Sequence, residues 1–219
     1  MAGVAVLAKA LGHHVTGVEG AMYPPMCDQL DAAGIQTEIG YDSPLPEGHI
    51  DQVIVGNALS RGMPQVEAVL NGPWPLYSGI SWLASHVLDS RRVLAVSGTH
   101  GKTSTASLLV WILKQAGGDP GYLIGGLPRF SKVSAELVSD PWFVLEADEY
   151  DSAFFDKRAK FLSVQPYGLI LNNLEFDHAD IYDNVEQIQA AFLQWVRVLP
   201  RDGMLVCPTQ PKHLEPIVQ

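Results

Sequence analysis

The sequence predicts an α/β fold in which helices cover parallel sheets in two successive parts of the chain. In the N-terminal part, short apolar runs alternate with segments of helical periodicity. An apolar run at 93–96 then leads through a glycine-rich loop into a helix, and two later apolar runs, at 142–145 and 168–171, each end in acidic residues. We therefore expect one domain over residues 1–90 and a second over residues 91–219.

The first domain is predicted to be a Rossmann-like parallel sheet. Its expected elements, in chain order, are a helix at Met1–Leu11 ended by Gly12, a strand at Val15–Val18, a helix from Pro24-Pro25 to Gly34, a strand at Val53–Val55, a helix at Met63–Leu70, an extended segment at Leu76–Tyr77 and a helix at Ile80–Leu88. Such a domain normally opens with a strand and a glycine-rich turn. Since Met1 already lies in a helical pattern, we expect that strand to be missing, with the domain truncated upstream.

Composition favours a soluble cytoplasmic protein. The chain has 219 residues and a formal charge of −10, which excludes a general binder of nucleic-acid backbones. No apolar run reaches the roughly 18 residues that a membrane span needs, and the N-terminus does not have the zones of a signal peptide. The two cysteines, Cys27 and Cys207, lack metal-like spacing and are expected to be reduced thiols.

The run Gly98-Thr99-His100-Gly101-Lys102-Thr103-Ser104 predicts a phosphate-binding loop between a strand and a helix over 106–115. Backbone N–H groups at such a loop and helix N-terminus can surround phosphate oxygens. We expect Lys102 to reach the β- and γ-phosphates and the Thr103 hydroxyl to bind Mg²⁺. The general pattern would place its first glycine at Val96, so a simple glycine-rich turn is the alternative. The predicted nucleotide-binding residues in the loop are Gly98, Thr99, Gly101, Lys102, Thr103 and Ser104.

Acidic clusters follow the two later strands. Glu146 comes first after one strand and is the best candidate carboxylate for Mg²⁺, which prefers oxygen ligands. His178 follows the other and could approach a second Mg²⁺ or a phosphate oxygen, although histidine is a less common magnesium ligand. Asp148 and Glu149 either position a substrate or face water. Because the carboxyl ends of parallel strands share one edge of a sheet, we expect these groups to converge on the loop.

These motifs resemble the central domain of the Mur ligases, ATP-dependent amide-bond-forming enzymes of peptidoglycan synthesis. The loop histidine and the string Glu146-Ala147-Asp148-Glu149 are similar to the branch that uses UDP-N-acetylmuramate as its carboxylate substrate. Within that branch, several runs most resemble the members that join this sugar nucleotide to the tripeptide L-alanyl-γ-D-glutamyl-meso-diaminopimelate in murein recycling. They are Tyr23-Pro24-Pro25-Met26, Gly56-Asn57-Ala58, Arg61-Gly62-Met63-Pro64, residues 149–158 and residues 171–182.

The resemblance implies that ATP phosphorylates the lactyl carboxylate and that the tripeptide amine then attacks the acyl phosphate. It gives catalytic roles to Lys102, His100 and His178, and metal-binding roles to Thr103, Glu146 and His178. Asn173 would contact the nucleotide or metal-bound water. Substrate-binding roles fall to Glu19, Asn57, Arg61, Asp148 and Glu149. Asn57 and Arg61 could equally stabilise a turn and a surface ion pair.

The sequence departs from the Mur ligase pattern in two respects. Some Mur ligases carry a carbamylated lysine one helix beyond the Asp-His motif, whereas residues 179–199 contain no lysine. The family also has a C-terminal domain, and the chain stops at Gln219 in a partial P-loop NTPase-like central domain. We therefore expect the polypeptide alone to be inactive as a ligase.

Three alternative functions stay open. They are a ligase that adds L-alanine, a non-catalytic nucleotide-binding fragment and an unrelated P-loop NTPase.

Overall fold

A computed structural model describes residues 1–42, 45, 48–175, 182, 184–209 and 213–218. The helices are α1 (Ala2–Ala10), α2 (Met26–Ala32), α3 (Pro64–Leu70), α4 (Gly79–Leu83), α5 (Lys102–Gln115), α6 (Val185–Val196) and α7 (Glu215–Val218), with a π-helical turn at Ala84–Leu88 and a 3-10 helix at Lys160–Ser163. The strands are β1 (Thr16–Glu19), β2 (Gln36–Ile39), β3 (Val53–Val55), β4 (Leu76–Ser78), β5 (Arg92–Ser97), β6 (Gly121–Leu123), β7 (Ala135–Glu136), β8 (Trp142–Glu146), β9 (Asp151–Ala153), β10 (Asp156–Ala159), β11 (Gly168–Leu171) and β12 (Met204–Val206).

The second half of the chain is organised around a six-stranded sheet in the order β12-β11-β5-β8-β6-β7. All neighbouring pairs in it are parallel except β6 with β7. In the central strands, Val96 lies opposite Glu146 and Ser97 lies opposite Leu171. The loops that leave the carboxyl ends of β5, β8 and β11 therefore meet at one edge of the sheet, as the sequence predicted.

The first half contains two separate parallel pairs, β1 with β2 and β3 with β4. The α/β class with parallel strands is confirmed in both halves. Several elements differ from the prediction. Helix α5 begins at Lys102 and not at residue 106, because Gly101 adopts a left-handed conformation and starts the helix directly after the loop. The segment predicted as one helix at 80–88 is an α-helix from Gly79 followed by a π-helical turn.

The hydrophobic core is continuous across residue 90. Val4 and Leu7 of α1 and Trp82 of α4 belong to the same buried cluster as Phe143 and Leu145 of β8. Such shared burial stabilises the two halves together, since each removes apolar surface of the other from water. The division into domains at 1–90 and 91–219 stays a prediction.

Polar contacts also join the halves. The side-chain Oε1 of Gln29 in α2 accepts a hydrogen bond of 2.6 Å from the buried backbone N–H of Ser134, just before β7. Gly3 of α1 lies so close to the central sheet that a Cβ placed there would be 2.3 Å from Leu123 Cδ1. Helix α1 therefore packs directly against the edge of the large sheet.

The predicted joint near residue 90 is held by several contacts. The guanidinium of Arg91 donates hydrogen bonds of 2.8 Å to the carbonyl oxygens of Val138 and Asp140. The guanidinium of Arg92 lies over the rings of Trp142 and Tyr167, at 5.4 and 5.0 Å from their centroids. These contacts therefore hold the chain in place where it enters β5.

Within the described ranges, no helix combines the length and apolar character that crossing a bilayer requires.

Candidate nucleotide and metal site

The loop from Gly98 to Gly101 joins β5 to α5 in the conformation that the two glycines allow. Gly98 has a φ of 133° and Gly101 a φ of 79°, values that side-chain-bearing residues rarely adopt. The Lys102 ammonium folds back over the loop and donates a hydrogen bond of 2.8 Å to the Gly98 carbonyl oxygen. A cavity of about 340 Å³ opens above the loop. It is lined by Thr99, His100, Gly101, Lys102, Thr103, Ser104 and Glu146.

The segment that follows β11 supports this loop. The backbone N–H of His100 donates a hydrogen bond of 2.8 Å to Asn173 Oδ1, and Asn173 Nδ2 donates one of 3.2 Å to the His100 carbonyl. The backbone N–H of Glu175 donates to Thr99 Oγ1 at 2.9 Å, and Asn172 Nδ2 donates to Thr105 Oγ1 at 3.0 Å. Asn173 therefore shapes the loop, and its predicted contact with nucleotide or metal-bound water stays a prediction.

Replacing Gly98 with alanine is expected to destabilise the protein by about 2–3 kcal/mol, because positive φ and steric overlap act together. A Cβ at Gly98 would be 2.8 Å from the Asn173 carbonyl oxygen, which belongs to backbone and cannot move aside. Gly12→Ala is the matched control, since Gly12 has a φ of 92° but no atom within 4 Å of an added Cβ. Urea denaturation measures both variants. Equal losses in the two would show that only backbone strain matters at residue 98.

Thr103 and Glu146, the two residues predicted to supply oxygen ligands to Mg²⁺, lie in direct contact, and their metal-binding role stays a prediction. The Thr103 hydroxyl donates to Glu146 Oε1 at 2.8 Å, and the Gly125 backbone N–H donates to Glu146 Oε2 at 2.7 Å. Burial raises the pKa of the Glu146 carboxyl, while these two hydrogen bonds and Lys102 oppose the increase and Asp148 adds to it. A hydroxyl and a carboxylate beside a phosphate loop fit a magnesium ion that shares its sphere with nucleotide phosphates.

The structure does not describe the other predicted metal ligand, His178. His178 lies outside the described residues, so its metal and catalytic roles stay predictions. In the part of the chain that the structure covers, no group of three or more His, Cys, Asp or Glu side chains could hold a metal ion by itself. A magnesium ion at Thr103 and Glu146 could share its sphere with oxygens from the nucleotide and from water.

Glu149 is directed at the phosphate loop and not at water. Its carboxylate receives hydrogen bonds of 3.0 and 3.3 Å from the Lys102 ammonium, and the side chains of Glu149 and Lys102 are 4% and 11% exposed. Asp148 is more exposed and lies 4.0 Å from the same ammonium. The hydroxyl of Tyr182 donates to the Glu149 carbonyl at 2.9 Å, and burial, with the Glu149 charge, raises the pKa of Tyr182 to about 12. Nothing in the local sequence pattern had indicated the contact between Glu149 and Lys102.

The substrate residues predicted in the first half lie in varied surroundings. Glu19 ends β1 and accepts hydrogen bonds from the Gly20 backbone N–H and the Tyr41 hydroxyl. Asn57 is exposed just beyond the carboxyl end of β3. Arg61 forms a two-pronged ion pair with Glu67, at 2.9 and 3.1 Å. That pair matches the structural alternative for Arg61, while its binding of a diphosphate stays a prediction.

His100, the predicted catalytic residue within the loop, has an exposed side chain at the rim of the cavity. Its Nε2 lies 3.7 Å from Glu175 Oε2. Both side chains are more than half exposed, so a substrate carboxylate could displace this weak contact at small cost. The geometry thus brings Lys102, Thr103, Glu146 and His100 around one cavity.

Comparisons with known proteins match both parts of the chain to one family. A family model described as Mur ligase middle domain matches residues 96–217, and one described as Mur ligase family, catalytic domain, matches residues 1–91. The chain is 52% identical to the UDP-N-acetylmuramate--L-alanyl-gamma-D-glutamyl-meso-2,6-diaminoheptandioate ligase of Escherichia coli (strain K12), over 98% of this chain and 47% of that protein. It is 34% identical to the UDP-N-acetylmuramate--L-alanine ligase of Psychrobacter sp. (strain PRwf-1), over 98% of this chain and 43% of that protein.

Among solved structures, a similar fold occurs in the UDP-N-acetylmuramate:L-alanyl-gamma-D-glutamyl-meso-diaminopimelate ligase from Neisseria meningitides. The TM-score is 0.90 at 45% identity, with 100% of this chain and 70% of that chain covered. The chain spans less than half the length of the curated relatives that it matches.

Proposed function

Because the chain belongs to the Mur ligase family, we propose that it contributes to the ATP-dependent joining of UDP-N-acetylmuramate to L-alanyl-γ-D-glutamyl-meso-diaminopimelate. The higher identity to the tripeptide ligase of Escherichia coli, at 52% against 34% for an alanine ligase, supports the tripeptide as the amine substrate. The reaction would serve peptidoglycan synthesis through murein recycling in the cytoplasm, where ATP is available. We further propose a domain boundary near residue 91, where the two family models meet.

In the first step of the proposed reaction, an oxygen of the lactyl carboxylate attacks the γ-phosphorus of ATP, and ADP leaves. The product is an acyl phosphate. Lys102 would offset the charge that develops on the transferred phosphoryl group. Thr103 and Glu146 would hold a magnesium ion, which when bound neutralises phosphate charge. A second magnesium ion near His178 belongs to this proposal as well.

In the second step, the α-amine of the tripeptide attacks the acyl carbon through a tetrahedral intermediate, and phosphate leaves. The protein forms no covalent bond to either substrate in this scheme, so its contribution is mainly position and charge. The predicted binding residues Glu19, Asn57 and Arg61 would hold the uridine diphosphate. His100 lines the cavity in which the two substrates would meet, and Asp148 and Glu149 lie 4.0 and 3.0 Å from the ammonium of Lys102, which also lines it.

The observation that carries the proposal is the hydrogen bond of 2.8 Å between Thr103 and Glu146 beside Lys102. It brings together the two oxygens expected to hold Mg²⁺ and the cation expected to contact phosphate. The full-length gene product should be assayed with UDP-N-acetylmuramate, ATP and Mg²⁺, and with either the tripeptide or L-alanine, by following phosphate release. We expect turnover with the tripeptide. Turnover with L-alanine alone would support the alanine-ligase alternative, and nucleotide binding without turnover would support a non-catalytic module.

A further inference from the structure

Lys160 lies where the two halves of the molecule meet. It opens the 3-10 helix after β10, and that helix and β9 pack against α4 of the first half. Its neighbours Ala159 and Phe161 are buried, and the Phe161 ring stacks on Phe192 and Trp195 at 4.7 and 4.5 Å. The Lys160 backbone N–H also donates to the Tyr150 carbonyl at 2.8 Å. The backbone of Lys160 is therefore firmly positioned.

The side chain of Lys160 points toward the phosphate loop. Its ammonium lies 3.8 Å from one oxygen of Asp148, and the other oxygen of Asp148 lies 4.0 Å from the ammonium of Lys102. Both distances exceed that of a hydrogen bond. One exposed carboxylate thus stands between two ammonium groups without being tightly held by either.

Lys160 also lies beside the first half of the molecule, because the 3-10 helix that it opens packs against α4. The Lys160 side chain is 26% exposed, and its ammonium lies 5.9 Å from the centroid of the Tyr150 ring as well as 3.8 Å from Asp148 Oδ2. A partly desolvated cation that faces a carboxylate beyond hydrogen-bond distance favours an anionic ligand.

We propose that Lys160 is a substrate-positioning residue that binds the carboxylate of the sugar nucleotide and places it beside Lys102. This inference rests on the proposed function. The Asp148 carboxylate occupies the position between the two ammonium groups. An incoming carboxylate would replace Asp148 there, and the same two cations would then face the acyl phosphate. Because the 3-10 helix that carries Lys160 packs against α4, the arrangement links the first half of the molecule to the phosphate loop.

The test compares two sugar nucleotides in the full-length gene product. UDP-N-acetylmuramate carries the lactyl carboxylate and UDP-N-acetylglucosamine does not. Comparing their affinities therefore separates recognition of the carboxylate from recognition of the uridine diphosphate and the sugar. Isothermal titration calorimetry without ATP measures both. We expect Lys160→Met to weaken UDP-N-acetylmuramate binding by about 10- to 100-fold. UDP-N-acetylglucosamine binding should stay unchanged, and Lys160→Arg should retain most of the affinity.

Lys157→Met is the matched control, because Lys157 lies three residues away and pairs with Asp151 on the exposed side of β10. A Lys160→Met protein that binds both nucleotides as wild type does, or that loses both equally, would contradict the positioning role. Wild-type protein that neither binds UDP-N-acetylmuramate nor releases phosphate in the ligation assay would instead contradict the proposed function. The two failures are therefore distinguishable.

Discussion

Replacing Lys102 with methionine is expected to reduce ligation by the full-length gene product about 10³-fold and to lower the free energy of unfolding by about 3 kcal/mol. The first effect follows from loss of the cation that faces the transferred phosphoryl group. The second follows from the surroundings of Glu149, whose nearly buried carboxylate receives two hydrogen bonds from Lys102. Removing the ammonium leaves a buried negative charge without its main counter-charge.

A double variant separates these two effects. Lys102→Met combined with Glu149→Met removes both charges and should recover most of the lost stability, measured by urea denaturation. It should not recover phosphate release, since the phosphate-facing cation is still absent. Lys114→Met is the control, because its ion pair with Glu136 is more exposed and should contribute less than about 1 kcal/mol. Full activity in the double variant would exclude Lys102 from catalysis.

Replacing Glu146 with glutamine is expected to reduce Mg²⁺-dependent nucleotide binding and ligation by about 10²-fold or more. Glutamine keeps the size of the side chain, and its one carbonyl oxygen can still accept the hydrogen bond from the Gly125 backbone N–H while its NH2 group donates to the Thr103 hydroxyl oxygen. It lacks the negative charge that attracts a divalent cation. Fluorescence titration with a nucleotide analogue, first with Mg²⁺ and then with EDTA, measures the metal-dependent part of the nucleotide affinity. If the variant kept the wild-type response to EDTA, Glu146 would not be a metal ligand.

The same carboxyl gives an expected pH dependence. Because burial raises the pKa of Glu146 in the folded protein, its neutral form persists to higher pH than that of an ordinary glutamate. Mg²⁺-dependent binding needs the ionised form, so it should decline as the pH falls through this raised value. The pH dependence of protein stability has the opposite sign. A raised carboxyl pKa stabilises the fold at low pH, and that contribution is lost as the pH rises through the folded-state value.

The sequence was most informative where one short segment carried the whole signal. Buried residues of β5, two glycines and a lysine stand within eleven positions of one another, so the strand, loop and helix could be predicted from local pattern. Glu146 could be placed because it directly follows a buried apolar run, and parallel strands bring their carboxyl ends together. These predictions required only the local sequence pattern and the assumption that the strands are parallel neighbours in one sheet.

Contacts between distant segments could not be predicted in this way. Glu149 reaches Lys102 across 47 positions and Asn173 reaches His100 across 73, and neither pairing leaves a local periodicity. The hairpin of β9 and β10 was missed because its second strand contains charged residues, Lys157 and Arg158, whose ion pairs with nearby aspartates replace apolar alternation. Strands β2, β6, β7 and β12 and helices α6 and α7 were also not predicted. The short strands among them give little signal for their length.

The segment between the two halves is a fixed corner and not a hinge. The backbone N–H groups of Arg91 and Arg92 donate to the carbonyl oxygens of Leu88 and Pro141 at 2.9 and 2.8 Å. The Arg91 side chain is bound to the segment between β7 and β8, and the Arg92 side chain lies over the rings of Trp142 and Tyr167. The amide protons of Arg91 and Arg92 should therefore exchange with solvent as slowly as those of the core strands. Rotation about residues 89–92 would break these contacts, so the spacing between the carboxyl ends of β4 and β5 is expected to stay constant in the folded protein.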